Sequence, residues 1–125
     1  MERETHQSIT AWSNSTFGEQ PLPAVGLKLH AEVVELMVAL EKGDTLDIKF
    51  ELADIQIVLS QLIERIHRFS EDSRPNESHW KYVTTKMHTN RSRIWEEQPD
   101  GTFQHRRKQE DQGDRPKYQG DPSNE

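Results

Sequence analysis

The sequence contains no cysteine and is poor in apolar residues. Without cysteine there can be no disulfide framework, no zinc–thiolate site and no cysteine nucleophile. Only 31% of the 125 residues are hydrophobic, while 30% are charged. This composition gives a thin core for one small domain, so we expect either disordered ends or burial against a second copy of the chain.

Features of membrane and nucleic-acid proteins are missing as well. The N-terminal residues contain no apolar run of the signal-peptide kind, and no apolar segment approaches the length of a membrane span. The net charge of −6 provides no positive field for nonspecific binding of nucleic acid. We therefore expect a cytoplasmic protein that binds neither membranes nor nucleic acids.

The apolar residues recur with helical spacing, and we find no alternation typical of strands. They predict an all-α fold, an antiparallel bundle of about four helices whose core is completed by oligomerisation. The predicted helices cover residues 3–15, 24–42, 45–69 and 76–95. Gly43 and Asp44 suit the end of the second helix and the N-cap of the third.

The composition changes near the C-terminal end of the chain. From Gln98 onward there are two aromatic residues and almost no aliphatic ones, so this stretch offers little surface to bury. We expect a helical domain over residues 1–105 and a disordered tail over residues 106–125.

Two acidic residues interrupt each of the two central apolar helices. Glu32 and Glu35 are three apart in one helix, and Glu51 and Asp54 in the next. Residues three apart lie on one helix face. Glu35 and Glu51 are both eight residues from Gly43 (43 − 35 and 51 − 43), while Glu32 and Asp54 are both eleven residues from it (43 − 32 and 54 − 43). A short connector makes neighbouring helices antiparallel, so we expect the four carboxylates to meet at matching heights.

Four carboxylates in a mostly apolar setting must take up protons or bind cations. Ligands that are all oxygen suit a hard cation, Mg²⁺ with Mn²⁺ as a substitute. One pair of glutamates three apart is usually a solvated helix edge, but two mirrored pairs within apolar runs are less easily explained in that way. A rival is a ferritin-like di-iron site, for which Glu64 and His67 offer one Glu-x-x-His motif and a second motif is missing.

Basic and amide side chains mark the fourth predicted helix. Lys86, Asn90 and Arg93 stand at i, i+4 and i+7, so they are expected on one face. Such donors suit a phosphate chain, although an ordinary solvated face is the alternative. Lys28 stands four residues before Glu32 and is either its ion-pair partner, which we favour, or a further phosphate contact.

The stretches "AEVVEL", "EKGD" and "ELADI", followed by the spaced Lys, Asn, Arg and Trp of the fourth helix, resemble the MazG-like all-α nucleoside triphosphate pyrophosphohydrolases. The likeness covers about residues 8–105 and is closest to the small dATP/dGTP-type pyrophosphohydrolases often found in phages. There, too, a Trp and an "FG" precede the metal helices, as Trp12, Phe17 and Gly18 do here.

The resemblance implies a role for each motif residue. By this likeness Mg²⁺ is bound by the four acids, namely Glu32, Glu35, Glu51 and Asp54. The triphosphate is held by Lys86, Asn90 and Arg93. The implied reaction converts a (d)NTP, with a purine dNTP favoured, to the monophosphate and pyrophosphate, in a homodimer or homotetramer. The chain departs from many members at Ala31, where they have a second Glu, and at Lys28, where the dATP/dGTP type often has His. These departures bear on the substrate more than on the reaction.

The sequence offers two candidates for the catalytic base and is also compatible with one non-catalytic function. A carboxylate not fully used in ligation could accept the proton of the attacking water, and Glu35 and Glu51 are the candidates. The alternative is a non-catalytic nucleotide-binding module, or a helical oligomerisation or regulatory module. Such an interaction module has no need of four inward acids, which weaken its core.

Overall fold

The computed structural model describes residues 1–70 and 73–106, and this part of the chain forms four helices and one short hairpin. The helices are α1 (His6–Phe17), α2 (Leu22–Lys42), α3 (Thr45–Phe69) and α4 (Pro75–Ser92). The strands β1 (Trp95–Glu97) and β2 (Phe103–His105) pair antiparallel. The predicted all-α fold is therefore confirmed. The predicted tail lies outside the described residues except for Arg106.

The chain divides into two units within α4. The first, Met1–Tyr82, contains α1, α2, α3 and the start of α4, and the second, Val83–Glu125, contains the rest of α4 and the hairpin. Each unit is described by itself. No helix within residues 1–70 and 73–106 combines the length and the apolar character that crossing a membrane requires.

The turn between α2 and α3 is built as the sequence predicts. Gly43 takes the left-handed conformation that ends a helix (φ 72°), and its N–H donates to the carbonyl oxygen of Ala39. The Asp44 carboxylate then accepts hydrogen bonds from the backbone N–H groups of Leu46 and Asp47, at 3.1 and 3.2 Å. Because these two residues fix both helix ends, α2 and α3 pack against each other as a hairpin.

The N-terminal helix boundaries differ slightly from the predicted ones. Helix α1 begins at His6, because Thr5 and Ser8 form a capping box in which each side chain accepts from the other's backbone N–H. The predicted second helix began at residue 24, but Pro23 lies in the first turn of α2, where proline loses no helical hydrogen bond.

The core of the first unit is small and partly polar. The buried hydrophobic residues are Val25, Ala39, Val58 and Ile63. They are outnumbered by the buried polar and charged residues, which are Thr10, Ser13, Glu32, Ser60, Gln61 and Glu64. Pairing makes this burial tolerable: the Ser13 hydroxyl, for example, donates to Gln61 Oε1 at 2.9 Å. The core alone therefore gives the single chain limited support, as the composition suggested.

Helix α2 buries a narrow stripe that includes Glu32 and exposes most of its larger apolar residues. Its buried residues Val25, Glu32 and Ala39 are seven apart and form one stripe. The exposed apolar residues of α2 are Leu27, Val33, Val34, Met37, Val38 and Leu40. Helix α3 likewise exposes Leu46, Phe50, Leu52, Ile57 and Ile66. The sequence indicated apolar residues around most of both helices, and a single chain leaves many of them uncovered.

The fourth helix is shorter than predicted, and the hairpin after it was not foreseen. Helix α4 ends at Ser92, so Arg93 and Trp95 lie beyond it. Residues 98–102 connect the strands, with a left-handed Gly101 (φ 87°) and with Asp100 Oδ1 accepting from Thr102 N–H and Oγ1–H. The stretch "QPDGT" is a typical turn sequence between two aromatic-containing segments, and it was the available signal for this hairpin.

Candidate metal centre

The four predicted carboxylates do converge. Glu32 and Glu35 on α2 and Glu51 and Asp54 on α3 each offer one oxygen, and these four oxygens lie within 4.8 Å of one another. We call these four residues the acidic cluster. Opposite oxygens around one octahedral Mg²⁺ ion are about 4.2 Å apart, twice the ordinary Mg–O distance of about 2.1 Å. The acidic cluster could therefore hold a cation after small side-chain adjustments.

Two carboxylate oxygens of the acidic cluster point to a missing partner. Glu32 Oε2 and Glu51 Oε2 are buried and have no hydrogen-bond partner among the described residues. A buried acceptor without a partner is unfavourable, typically by about 1–3 kcal/mol and by more for a charged group. A bound cation would satisfy both oxygens at once, so the donor set fits a hard divalent cation.

The charges of the acidic cluster act most clearly on Glu51. Its pKa is raised, first by burial and then by the negative charges of the carboxylates around it. Those carboxylates are Glu35, Asp54, Asp47 and Glu32, in order of effect. The cluster therefore makes the charged form of Glu51 less favourable than that of an isolated glutamate.

Lys28 forms an ion pair with one member of the acidic cluster. Lys28 Nζ lies 2.9 Å from Glu32 Oε1, and its own side chain is 64% exposed while that of Glu32 is 7% exposed. The hydrogen bond from Lys28 lowers the pKa of Glu32, although burial acts in the opposite direction. The same hydrogen bond raises the pKa of Lys28, and the charges of Glu35 and Asp54 add to this rise. The favoured ion-pair role of Lys28 is confirmed, and the pair leaves Glu32 Oε2 for the cluster.

The rival di-iron site receives no support from the first unit. The Glu64 carboxylate accepts a hydrogen bond from Arg68 Nε one turn later on α3. Within residues 1–70 and 73–106, the acidic cluster is the one group of His, Cys, Asp or Glu side chains close enough to hold a metal. His67 therefore does not join Glu64 in a second metal-binding group.

The predicted phosphate-binding residues belong to the second unit. Lys86 and Asn90 lie four apart on α4 and are half-buried. Arg93 lies one residue beyond the end of α4, and its place on the same face as Lys86 and Asn90 stays a prediction. The Asn90 carbonyl oxygen accepts from Arg93 N–H at 3.2 Å and from Trp95 Nε1–H at 2.9 Å, and these bonds close the last turn before the chain enters the hairpin.

A cavity that sequence reasoning missed lies beside α3 in the first unit. It has a volume of about 1180 Å³ and is bounded by the start of α1, one face of α3 and the start of α4. On α3 its lining residues include Ala53, Gln56 and Ser60, so the wall begins at the residue next to Asp54. Trp12 of α1 contributes an aromatic ring. The spacing of these residues gave no signal by itself, because Ala, Gln and Ser at helical spacing are ordinary.

The chain matches no family model, no curated protein and no solved structure.

Replacing Glu51 by a neutral residue should stabilise the cation-free chain and weaken its response to divalent cations. A group whose folded-state pKa is raised above its ordinary value of 4.5 supports folding when protonated and loses that support as the pH rises through the raised pKa. At pH 7 and without divalent cations, Glu51→Gln should therefore have a higher melting temperature than the parent chain. The rise in melting temperature caused by Mg²⁺ or Mn²⁺ should shrink.

The matched control is Glu41→Gln, which neutralises an exposed glutamate of α2 outside the cluster. It should keep the full cation-induced rise. An undiminished rise in Glu51→Gln would contradict the metal assignment.

Proposed function

We propose that the chain is a Mg²⁺-dependent nucleoside triphosphate pyrophosphohydrolase of the MazG-like kind, with Mn²⁺ as a substitute cation. The proposed substrate is a (d)NTP, with a purine dNTP favoured, and the products are the (d)NMP and pyrophosphate. The observation that carries the proposal is the acidic cluster, in which four carboxylates from two mirrored helices meet around two buried, unpartnered oxygens. This is the donor set of a hard cation, and triphosphates are the common substrates that such cations hold.

The reaction would proceed by attack of water on the α-phosphorus. The water oxygen forms a bond to that phosphorus, the bond to the α–β bridging oxygen breaks, and pyrophosphate leaves with the electron pair. Mg²⁺, when bound, supplies charge neutralisation at the phosphate oxygens and lowers the pKa of the attacking water. A carboxylate of the cluster accepts the water proton.

Glu51 and Glu35 are the candidates for that proton acceptor. The raised pKa of Glu51 brings its affinity for a proton closer to that required of a general base at neutral pH. Glu35 is exposed at the edge of the cluster, where water reaches it directly. Glu32 is less suited, because Lys28 holds one of its oxygens and lowers its pKa.

The cavity beside α3 would suit the nucleoside part of such a substrate. Its volume of about 1180 Å³ is somewhat above the usual range for small-molecule pockets, roughly 300–1,000 Å³. The lining combines the Trp12 ring with the amide groups of Gln7, Gln56 and Asn76. A ring for stacking and amides that donate and accept hydrogen bonds are what recognition of a base requires.

Assembly into a homodimer or homotetramer is part of the proposal. Large apolar side chains are exposed along both α2 and α3, and extended exposed apolar surface is typical of an interaction site. A second copy of the chain offers matching apolar helices, and such isologous contacts are the commonest way to close an oligomer.

The direct test is release of pyrophosphate from a panel of dNTPs with and without Mg²⁺. The parent chain should release pyrophosphate and the matching dNMP only when the cation is present, and Glu35→Gln or Glu51→Gln should abolish release while the helical circular dichroism is retained. Nucleotide binding without any product would support a non-catalytic binding module instead. Orthophosphate as the product would mean that the wrong bond had been assigned.

Lys86 and Arg93 are proposed to contact the triphosphate, with Asn90 between them and Lys28 as a further candidate. A hydrogen bond to a charged group is worth about 1.5–3 kcal/mol, so Lys86→Ala or Arg93→Ala should lower turnover or affinity by about 10- to 100-fold. If Arg93 stabilises the departing pyrophosphate, kcat should fall more than KM rises.

The control is Arg91→Ala, which removes an exposed arginine in the last turn of α4. Steady-state kinetics should show it to be nearly neutral. A loss at Arg91 with Lys86 and Arg93 unaffected would require the phosphate site to be redrawn.

The apolar face of α2 should be needed for assembly. Met37 is 58% exposed in the single chain, so Met37→Lys should shift the sedimentation coefficient at micromolar concentration from that of a dimer or tetramer towards that of a monomer. Asn14→Lys adds the same charge at an exposed position of α1 and should leave the assembly intact. A parent chain that sediments as a monomer would refute this part of the proposal.

A further inference from the structure

Three histidines from three helices lie near one another in the first unit, away from the acidic cluster. His6 lies at the start of α1, His67 in the last turn of α3 and His79 in the first part of α4. The ring centroids of His67 and His79 are 6.0 Å apart, with the rings nearly perpendicular at 77°. The Tyr82 ring lies 6.0 Å from His67 on the α4 side. His6 is close enough to act electrostatically on His79.

A hydrogen bond across 70 positions of sequence joins two of these helices. His6 Nε2 lies 3.0 Å from Asn76 Oδ1, which places the start of α1 against the start of α4. This contact requires a proton on Nε2. His6 Nδ1 is buried and has no hydrogen-bond partner among the described residues. A second proton on Nδ1 would therefore become a buried donor without an acceptor.

The acidic groups around this contact are engaged elsewhere. On α3, Glu64 accepts from Arg68 Nε; on α4, Glu77 pairs with Arg74 at 3.2 Å. Before α1, Glu4 Oε1 accepts from the Ser8 hydroxyl at 2.8 Å. These three carboxylates of the described residues therefore already have partners.

His79 is held in its neutral form by its surroundings. Its pKa is lowered, first by burial and then by the positive charges that His67 and His6 would carry. Each histidine that takes up a proton therefore makes the next protonation less favourable.

We propose that His6, His67 and His79 form an acid-sensitive latch, which holds the starts of α1 and α4 on the end of α3 while the three rings are neutral. When the rings become charged, they repel one another and the start of α1 is released. His6 and Asn76 both line the cavity beside α3, so release of the latch opens the cavity wall. The latch would thereby make access to the cavity depend on pH, whatever ligand the cavity takes.

The direction of the effect follows from linkage. A histidine whose pKa is lower in the folded chain than its ordinary value of 6.5 contributes stability that is fully present above that value. This stability is lost as the pH falls below 6.5, because the unfolded or released state binds more protons. Release is therefore expected on mild acidification, whereas protonation of ordinary carboxylates occurs at lower pH.

Hydrogen–deuterium exchange of the full chain at pH 7.5 and pH 5.5 tests the latch. After correction for intrinsic exchange rates, the amides of α1 should lose several-fold more protection at pH 5.5 than those around Ala39 in α2. His79→Gln and His6→Gln, which keep polar side chains without the titration, should abolish this selective loss. His88→Gln changes an exposed histidine of the second unit and should leave the loss unchanged.

A nuclear magnetic resonance titration of the parent chain provides a second test, which does not depend on whether the variants fold. The His79 imidazole should titrate below 6.5. A His79 pKa at or above 6.5 would overturn the proposal. So would equal protection of α1 at both pH values in the parent chain, or a selective loss that persists in both His6→Gln and His79→Gln.

Discussion

The mutual repulsion of four carboxylates is the constraint on which the first unit depends. Glu32, Glu35, Glu51 and Asp54 are brought together because α2 and α3 are joined by a turn that sets their heights, and nothing within the helices relieves the charge completely. Lys28 neutralises one oxygen of Glu32, and the raised pKa of Glu51 favours a proton there. The remaining negative charge could be neutralised by a cation, and this connects the fold to the proposed chemistry.

This constraint also explains why α2 has a glutamate on its inner face and its larger apolar residues on its outer face. A helix whose inner stripe is Val25, Glu32 and Ala39 gives little hydrophobic stabilisation to its own chain. Its larger apolar residues, including Val34 and Met37, are half or more exposed. The inner face is the one proposed to bind a cation, and the outer face is left to contribute stability by other contacts, for which a second copy is the proposed source.

The sequence predicted those features that depend on local rules. The bounds of α3, the glycine at the end of α2, the Asp44 cap and the meeting of the four acids all followed from caps, helical spacing and counting along one connection. Burial could not be obtained in this way, because helical periodicity shows that a face is apolar but not whether the chain's own residues cover it. The predicted end of α4 at residue 95 was also wrong. Ile94 and Trp95 fit a helical pattern, but α4 ends at Ser92 and Trp95 pairs with His105 in the hairpin.

The mirrored register has a consequence for how this stretch of gene can vary. Glu35 and Glu51 are separated by sixteen positions (51 − 35), and apart from Gly43 and Asp44, which build the turn, exposed residues between them can change in identity without moving either carboxylate. A single inserted or deleted codon within a helical part of this interval would shift one pair by about 1.5 Å and rotate it by about 100° relative to the other. Substitutions should therefore be tolerated in this interval far more often than insertions or deletions, so the distance between the two carboxylates along the chain should vary less than the residues between them.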